Sequence, residues 1–294
     1  MNITHIKTFL KVAECANFRK AAEALQYTQP TVTLQIQALE KELNTVLFNR
    51  MPKGIALTDQ GEQFLPYARK IVQDWEAAAD VLSCSGQISG HINIGCPDSI
   101  ALFLLPDIVK DFCRLGSNAS VKIRTGELPA LIQEMEENAL DIIYIINRPF
   151  HFAKWQKHYE KQEHIVFVCQ PDHPLAGQEE VTLREIAGHK MVLADSGSTT
   201  SYIHELHQAF DAQGLVPDCM LEISNTAILK SMVLDGIGLT FLPYFVVRQE
   251  VEAGQLTILP VRELCPELWL QVFSVRGKWI SPAMEWFPEE IKKR

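Results

Sequence analysis

The sequence lacks the features that mark several large protein classes. No apolar run approaches the roughly 18 residues that would read as a membrane-spanning helix; the longest candidates, 100–105 and 142–146, have the length of core elements. The first residues, Met1-Asn2-Ile3-Thr4-His5-Ile6-Lys7, do not have the layout of a signal peptide. A soluble, cytoplasmic protein with no membrane partner is expected. The seven cysteines (15, 84, 96, 113, 169, 219 and 265) are odd in number and scattered, with no Cys-x-x-Cys and no paired histidine spacing. Reduced, mostly buried thiols are the plain reading, with neither disulfide framework nor metal site. There is no nucleophile elbow, no phosphate-binding loop and no His-Glu metal helix, and the nine histidines are dispersed. The chain is therefore read as no enzyme, without cofactor or metal. Positive charge is also scarce: 27 Lys and Arg against 36 Asp and Glu give a net of −9. Taken as a whole-chain average, that argues against a nucleic acid or an anionic membrane as partner.

What is present divides unevenly. The 294 residues suffice for two domains and a smaller third piece, and 47 % apolar residues can fill a sizeable core. Residues 1–58 carry seven basic residues (Lys7, Lys11, Arg19, Lys20, Lys41, Arg50, Lys53) against Glu14, Glu23, Glu40 and Glu42, a net of +3 that leaves −12 on the remainder. The chain is a small basic head on an acidic body.

In the head, apolar residues at Ile3, Ile6, Phe9, Leu10, Ala13 and Ala16 form one stripe of an amphipathic helix, broken at Asn17. A short helix follows over 18–25. Gln26-Tyr27 turn the chain, and Thr28 is a natural N-cap for a third helix over 29–43, with Pro30 in its first turn. This helix has a core face at Val32, Ile36, Leu39 and Leu43. Its opposite face presents Gln29, Pro30, Thr31, Thr33, Leu34 and Gln37, with charge only at Lys41. Short polar and apolar side chains of this kind can reach base edges in a major groove, where a solvated helix would carry Glu and Lys. Two short strands around Pro52-Lys53-Gly54 read as a wing, with Arg50 and Lys53 placed to meet phosphate or the minor groove. The alternative is a small helical module with a solvated hairpin.

From Thr58 to about Cys84 a long helix is expected. Phe64, Ala68, Ile71, Trp75, Ala78 and Leu82, spaced 4, 3, 4, 3, 4, form a heptad seam, suited to pairing two chains or to packing on this chain's own head or body. Pro66 predicts a bend, or a helix that starts properly only there. The small polar stretch 83–90 reads as a hinge. Beyond it, candidate strands (92–96, 121–125, 141–146, 164–170, 191–194, 220–223, 239–241, 268–275) alternate with helical segments (99–115, 128–138, 183–186, 200–213, 225–234, 243–250, 282–292). That alternation indicates an α/β body with parallel sheets and, over about 205 residues, two lobes. Gly236-Ile237-Gly238 is a turn into a strand, since position 241 is Phe and no dinucleotide motif is completed.

The residues Phe18-Arg19-Lys20-Ala21-Ala22-Glu23-Ala24-Leu25, Thr28-Gln29-Pro30, Thr33, Gln35-Ile36, Leu39-Glu40, Leu47-Phe48, Arg50, Leu57-Thr58 and Gly61 closely resemble the N-terminal winged helix-turn-helix of LysR-type transcriptional regulators. Two positions depart from the family pattern: Asn44 stands where glycine is usual, and Leu34 where a basic residue is common. The resemblance continues, more weakly, through Leu104-Leu105-Pro106, Asp172-His173-Pro174-Leu175 and Val233-Leu234-Asp235-Gly236-Ile237-Gly238-Leu239 to Leu242-Pro243.

The resemblance implies a winged helix-turn-helix over 1–58 and a dimerising linker helix and hinge over 59–88. The α/β effector domain would span 89–294 and be built like a type 2 periplasmic binding protein, with one lobe at 89–160 plus 268–294 and the other at 161–267. It implies operator DNA, a small-molecule effector, further copies of this chain (a dimer, and a tetramer as a dimer of dimers) and RNA polymerase as partners. Strand ends and helix starts at the mouth of such a cleft favour anions, which makes Ser99, Ile100, Glu127, Ser198, Thr199, Asn225 and Thr226 effector candidates. Arg148 could pair with a carboxylate and Asp98 with an ammonium group, so that a zwitterion would satisfy both. A second reading keeps the DNA-binding head and makes a cysteine the sensor, with Cys96 as the reactive thiol.

Overall fold

A computed structural model describes residues 2–51, 54–83, 89–115, 118–195, 201–264, 266–277 and 281–293. The head consists of α1 (Ile3–Cys15), α2 (Phe18–Leu25), α3 (Gln29–Leu43) and the antiparallel hairpin β1 (Phe48–Met51) and β2 (Gly54–Leu57). Each helix is punctuated by its own sequence. Asn2, Asn17 and Thr28 cap the three N-termini, while Ala16, Gln26 and Asn44 end them in left-handed conformation. Asn44 thus takes the cap where the family resemblance led us to look for glycine. Ile6, Phe9, Val12, Ala21, Ala22, Val32, Ile36 and Leu39 make the core, and the Thr8 hydroxyl donates to Gln35 Oε1 at 2.6 Å to tie α1 to α3.

The long helix α4 (Asp59–Ser83) starts at Asp59, not at Pro66. Thr58 fixes that start: its Oγ1 accepts from the Gly61 N–H at 3.0 Å and its hydroxyl donates to the Val46 carbonyl at 2.7 Å. Pro66 lies inside the helix. The heptad seam is not one continuous face for a second chain. Ala68 is buried in the head's own core, with Phe64 and Ile71 packed against it and the Phe64 ring 5.2 Å from that of Phe9. Trp75 and Ala78 are exposed, and the side chain of Leu82 falls outside the description. Tyr67, at 68 % the most exposed large apolar residue of α4, was not part of the expected seam.

The body has two lobes. The first carries a five-stranded sheet in the order β4-β3-β5-β12-β6, built from β3 (Ser89–Cys96), β4 (Asn118–Thr125), β5 (Ile142–Asn147), β6 (Trp155–Glu163) and β12 (Leu268–Val275). Its helices are α5 (Asp98–Phe103), α6 (Leu105–Arg114), α7 (Leu128–Glu136) and the C-terminal α12 (Pro282–Lys292). The second lobe contains β7 (Ile165–Cys169), α8 (Leu183–Ala187), β8 (Lys190–Ala194), α9 (Ser201–Ala212), β9 (Asp218–Ile223), α10 (Thr226–Leu234), β10 (Thr240–Pro243), α11 (Tyr244–Glu252) and β11 (Thr257–Leu259). The parallel pair β8-β9 and the antiparallel sheet β10-β7-β11 are joined by a bridge between Met191 and Leu239. The chain crosses between lobes at β6–β7 and again before β12.

Three expectations are corrected. The sheets are mixed: β3 is parallel to β4 and β5, but β12 runs antiparallel to both β5 and β6. The helix expected over 99–115 is two helices, because Pro106 has no N–H to return to the Leu102 carbonyl and restarts the turn as α6. The strands β6 and β11 were not foreseen. No described helix is long and apolar enough to cross a membrane.

Gly61 marks the tightest contact between head and α4. A Cβ there would lie 2.3 Å from the Leu47 carbonyl oxygen, a backbone atom that cannot swing away. Gly61→Ala should destabilise the head by about 1–3 kcal/mol through overpacking, seen as a lowered midpoint of thermal unfolding. An unchanged midpoint would show that the α4 start is free to move.

Candidate nucleic-acid face and interlobe cleft

The α2–α3 turn holds α3 with Val32, Ile36 and Leu39 inward and a second face outward. On that face Gln29, Pro30, Leu34 and Gln37 are exposed, Leu34 at 65 %, and Thr31 and Thr33 are half-buried. Two hydroxyls have local partners. Thr33 donates to the Gln29 carbonyl at 3.0 Å, and Thr31 shares a 2.8 Å hydrogen bond with Thr28. Both oxygens keep a lone pair for an outside donor. Arg50 stands in β1 opposite Ile55, its side chain outside the description, and Lys53 lies outside the described residues. The wing is pinned to α3 by a residue that the sequence marks only through its charge and its place in the family pattern. Glu40 Oε1 accepts from the Leu47 N–H at 2.8 Å and the Phe48 N–H at 3.4 Å. Glu40 thereby fixes the wing's distance from the outward face of α3.

Between the lobes lies a cavity of about 370 Å³. The first lobe supplies Asp98 and Ser99 at the start of α5, and Thr125, Gly126 and Glu127 where β4 turns into α7. The second supplies Asp195 after β8, Tyr202 on α9, and Ser224, Thr226 and Leu229 where β9 turns into α10. Of the expected effector residues, Ser99, Glu127 and Thr226 line this cavity. Asn225 sits beside it with its side chain engaged: Oδ1 accepts from the Ala227 and Ile228 N–H groups at 3.0 and 3.1 Å as the α10 cap. Ser198 and Thr199 lie outside the described residues.

Two expectations fail. Ile100 is fully buried in the core, because the third residue of α5 turns inward where the first two line the cleft. Arg148 does not line the cavity; its Nε donates to Glu205 Oε1 on α9 at 2.9 Å, which ties the lobes together from outside. With Arg148 gone from the site, the zwitterion reading loses its cation. Tyr202 and Leu229 were missed because apolar residues on helices read first as core.

The body also grips the linker. Arg69 Nη1 donates to the Glu137 carbonyl and carboxylate at 3.3 and 3.2 Å, and Gln73 Nε2 donates to the Asn138 carbonyl at 2.9 Å, both just past the end of α7. Glu76 joins three parts of the chain: Lys7 of the head approaches one carboxylate oxygen at 2.6 Å and His91 of β3 the other at 3.6 Å.

Two family models match. The model described as the bacterial regulatory helix-turn-helix protein of the lysR family covers residues 3–62, and that of the LysR substrate binding domain covers residues 85–294. The chain belongs to the LysR family. Its similarity to LysR relatives runs end to end. An uncharacterized HTH-type transcriptional regulator, YwqM, of Bacillus subtilis is 29 % identical, over 100 % of this chain and 99 % of its own length. The RuBisCO operon transcriptional regulator of Allochromatium vinosum is 27 % identical, over 99 % and 95 %. Among solved structures, a full-length OxyR of Pseudomonas aeruginosa shares the fold with a TM-score of 0.73 at 20 % identity, over 99 % and 95 % of the two chains. CbnR in complex with its target DNA gives 0.64 at 19 %, over 100 % and 99 %. The named relatives are transcriptional regulators.

For a LysR-type sensor that used a cysteine, Cys96 is the wrong residue. Its thiol is buried at the end of β3, and burial, with the charge of Asp98 added, pushes its pKa up to about 12. Near neutrality it is a protonated thiol, which is a poor nucleophile. At pH 8, iodoacetamide should label exposed Cys113 well before Cys96, as read by peptide mass spectrometry; early labelling of Cys96 would mean that β3 opens. In the head, Glu40→Ala should leave the Leu47 and Phe48 N–H groups without their acceptor. The expected cost is about 1–3 kcal/mol, together with weakened DNA binding in a gel-shift assay.

Proposed function

We propose that this regulator reads an operator through the outward face of α3, with the wing on the flanking backbone, and that a small effector in the interlobe cavity modulates that binding. The observation that carries the reading is the α3 face. A fully formed helix behind a tight turn leaves Gln29, Pro30, Leu34 and Gln37 in solvent without a charge among them. Such a face gains little from water and is suited to base edges: amides for adenine, and Leu34 for a thymine methyl. A head of net charge +3 holds DNA weakly on its own. Two or more heads on one duplex supply the missing affinity, and the exposed Tyr67, Trp75 and Ala78 of α4 are the face offered to a second copy. The effector acts by population shift: it binds one arrangement of the lobes better and so changes how paired bodies space their heads.

Selection of bound DNA from random duplexes tests the first half and yields the half-site spacing. Gln29→Ala should cost about 1–3 kcal/mol on the selected site and relax base preference at one position. Lys53→Ala should weaken binding to all sequences and reduce the slope of log affinity against log salt by about 1. Discrimination left intact by Gln29→Ala would overturn this docking of α3.

A further inference from the structure

The wall chemistry of the interlobe cavity is one-sided. Asp98 and Glu127 come from the first lobe and Asp195 from the second, and no Lys, Arg or His lines the cavity among the described residues. The two cations that tie the lobes outside the cavity are already engaged: Arg148 with Glu205, and Lys230 with Glu250 at 2.6 Å and the Phe103 ring at 4.4 Å.

Helix N-termini usually make such a cleft favour anions. Among the described residues, that tendency is offset at α10, α7 and α5. The first free N–H groups of α10 are bonded to Asn225. The helix α7 begins behind Glu127, whose side chain makes no capping bond, and α5 begins with Asp98. The charge of Asp98 extends into the lobe, where it adds to burial in raising the Cys96 thiol.

The geometry points to a ligand with a cationic group: we propose that the cavity selects a small amine or guanidinium compound. The inference rests on reading this cavity as the effector site. The three carboxylates attract the cation, Tyr202 and Leu229 offer apolar surface to its body, and Ser99 and Thr226 offer hydroxyls for orientation. A carboxylate or phosphate ester entering the same space would meet like charge from both lobes.

The test is thermal unfolding of the full chain with ligands of matched skeleton: butane-1,4-diamine, agmatine and choline against butanedioate and butanoate, at constant ionic strength. At least one cationic probe should raise the midpoint by about 3 °C or more at ten times its dissociation constant, and the carboxylates should not. Asp98→Asn and Glu127→Gln, each compared with its own ligand-free midpoint, should abolish most of that shift. A shift with the carboxylates, lost on filling the cavity by Thr226→Trp, would overturn the cationic class and leave the effector site standing. A cationic shift of equal size in Asp98→Asn and Glu127→Gln would also overturn it, by placing the ligand elsewhere. If no probe of either class gives a shift that Thr226→Trp removes, the effector site falls together with the inference.

Discussion

The surface of α4 is divided among the head, the body and solvent, and much of the architecture depends on that division. At 100° per residue, Ala68 and Val72 fall on one side and are buried in the head. Arg69, Gln73 and Glu76, spaced 4 and 3, fall on the next and reach the body and Lys7. Tyr67 and Ala78 fall on the third and stay in solvent, while Trp75, about 20° from Ala68 at this pitch, is half exposed beside the head with Lys7 Nζ 5.1 Å from its ring. Apolar contact fixes α4 to the head, where Gly61 brings its backbone against Leu47. Polar contact holds it to the body. That difference matters, because buried apolar surface resists sliding while the part-buried polar contacts to the body can be exchanged for water more easily. Head and α4 therefore form one rigid piece, and adjustment relative to the body is easier at Arg69, Gln73 and Glu76.

The head was legible because its information is local. Caps at Thr28 and Asn44 bound α3 at the residues that the sequence marks, and a 3.6-residue stripe needs no knowledge of distant partners. The body was legible in element type and less so in pairing. The strand β6 carries the sequence Trp-Gln-Lys-His-Tyr-Glu-Lys-Gln-Glu, with only Trp155 and Glu163 buried; it is the edge of its sheet, and its apolar support comes from β12, more than a hundred residues later. Strand direction has the same non-local origin. The heptad from Phe64 to Leu82 was real as periodicity, but periodicity does not name the partner, and its first half went to the head. In the cleft, Ser99, Glu127 and Thr226 were legible because strand-to-helix junctions line such sites. Ile100 and Arg148 were misplaced because nearness to a junction does not fix which way a side chain points.

The charge distribution takes on a structural meaning. The net −9 concealed a +3 head, and three of the acids behind the −12 remainder converge on one cavity. Acids spread over the surface keep a body away from phosphates. Acids facing one another across a gap also set the sign of what fills it, and they oppose closure until that charge is balanced.

The helix α7 connects this cavity to the linker. Its first turn follows Glu127 at the cavity wall, and just past its far end Glu137 and the Asn138 carbonyl receive Arg69 and Gln73 of α4. Nine residues of helix span about 14 Å as a stiff rod, so a displacement of α7 as a unit acts at both ends. The Lys230–Phe103 contact and the Arg148–Glu205 pair hold the lobes together. A ligand that merely occupied the gap would leave that arrangement unchanged, however tightly it bound. On the effector reading proposed above, a ligand that favoured one setting of Glu127 relative to the second lobe would move α7. With α4 packed on the head through buried apolar contacts, that movement would reach α3 as a change of orientation and not of its internal structure.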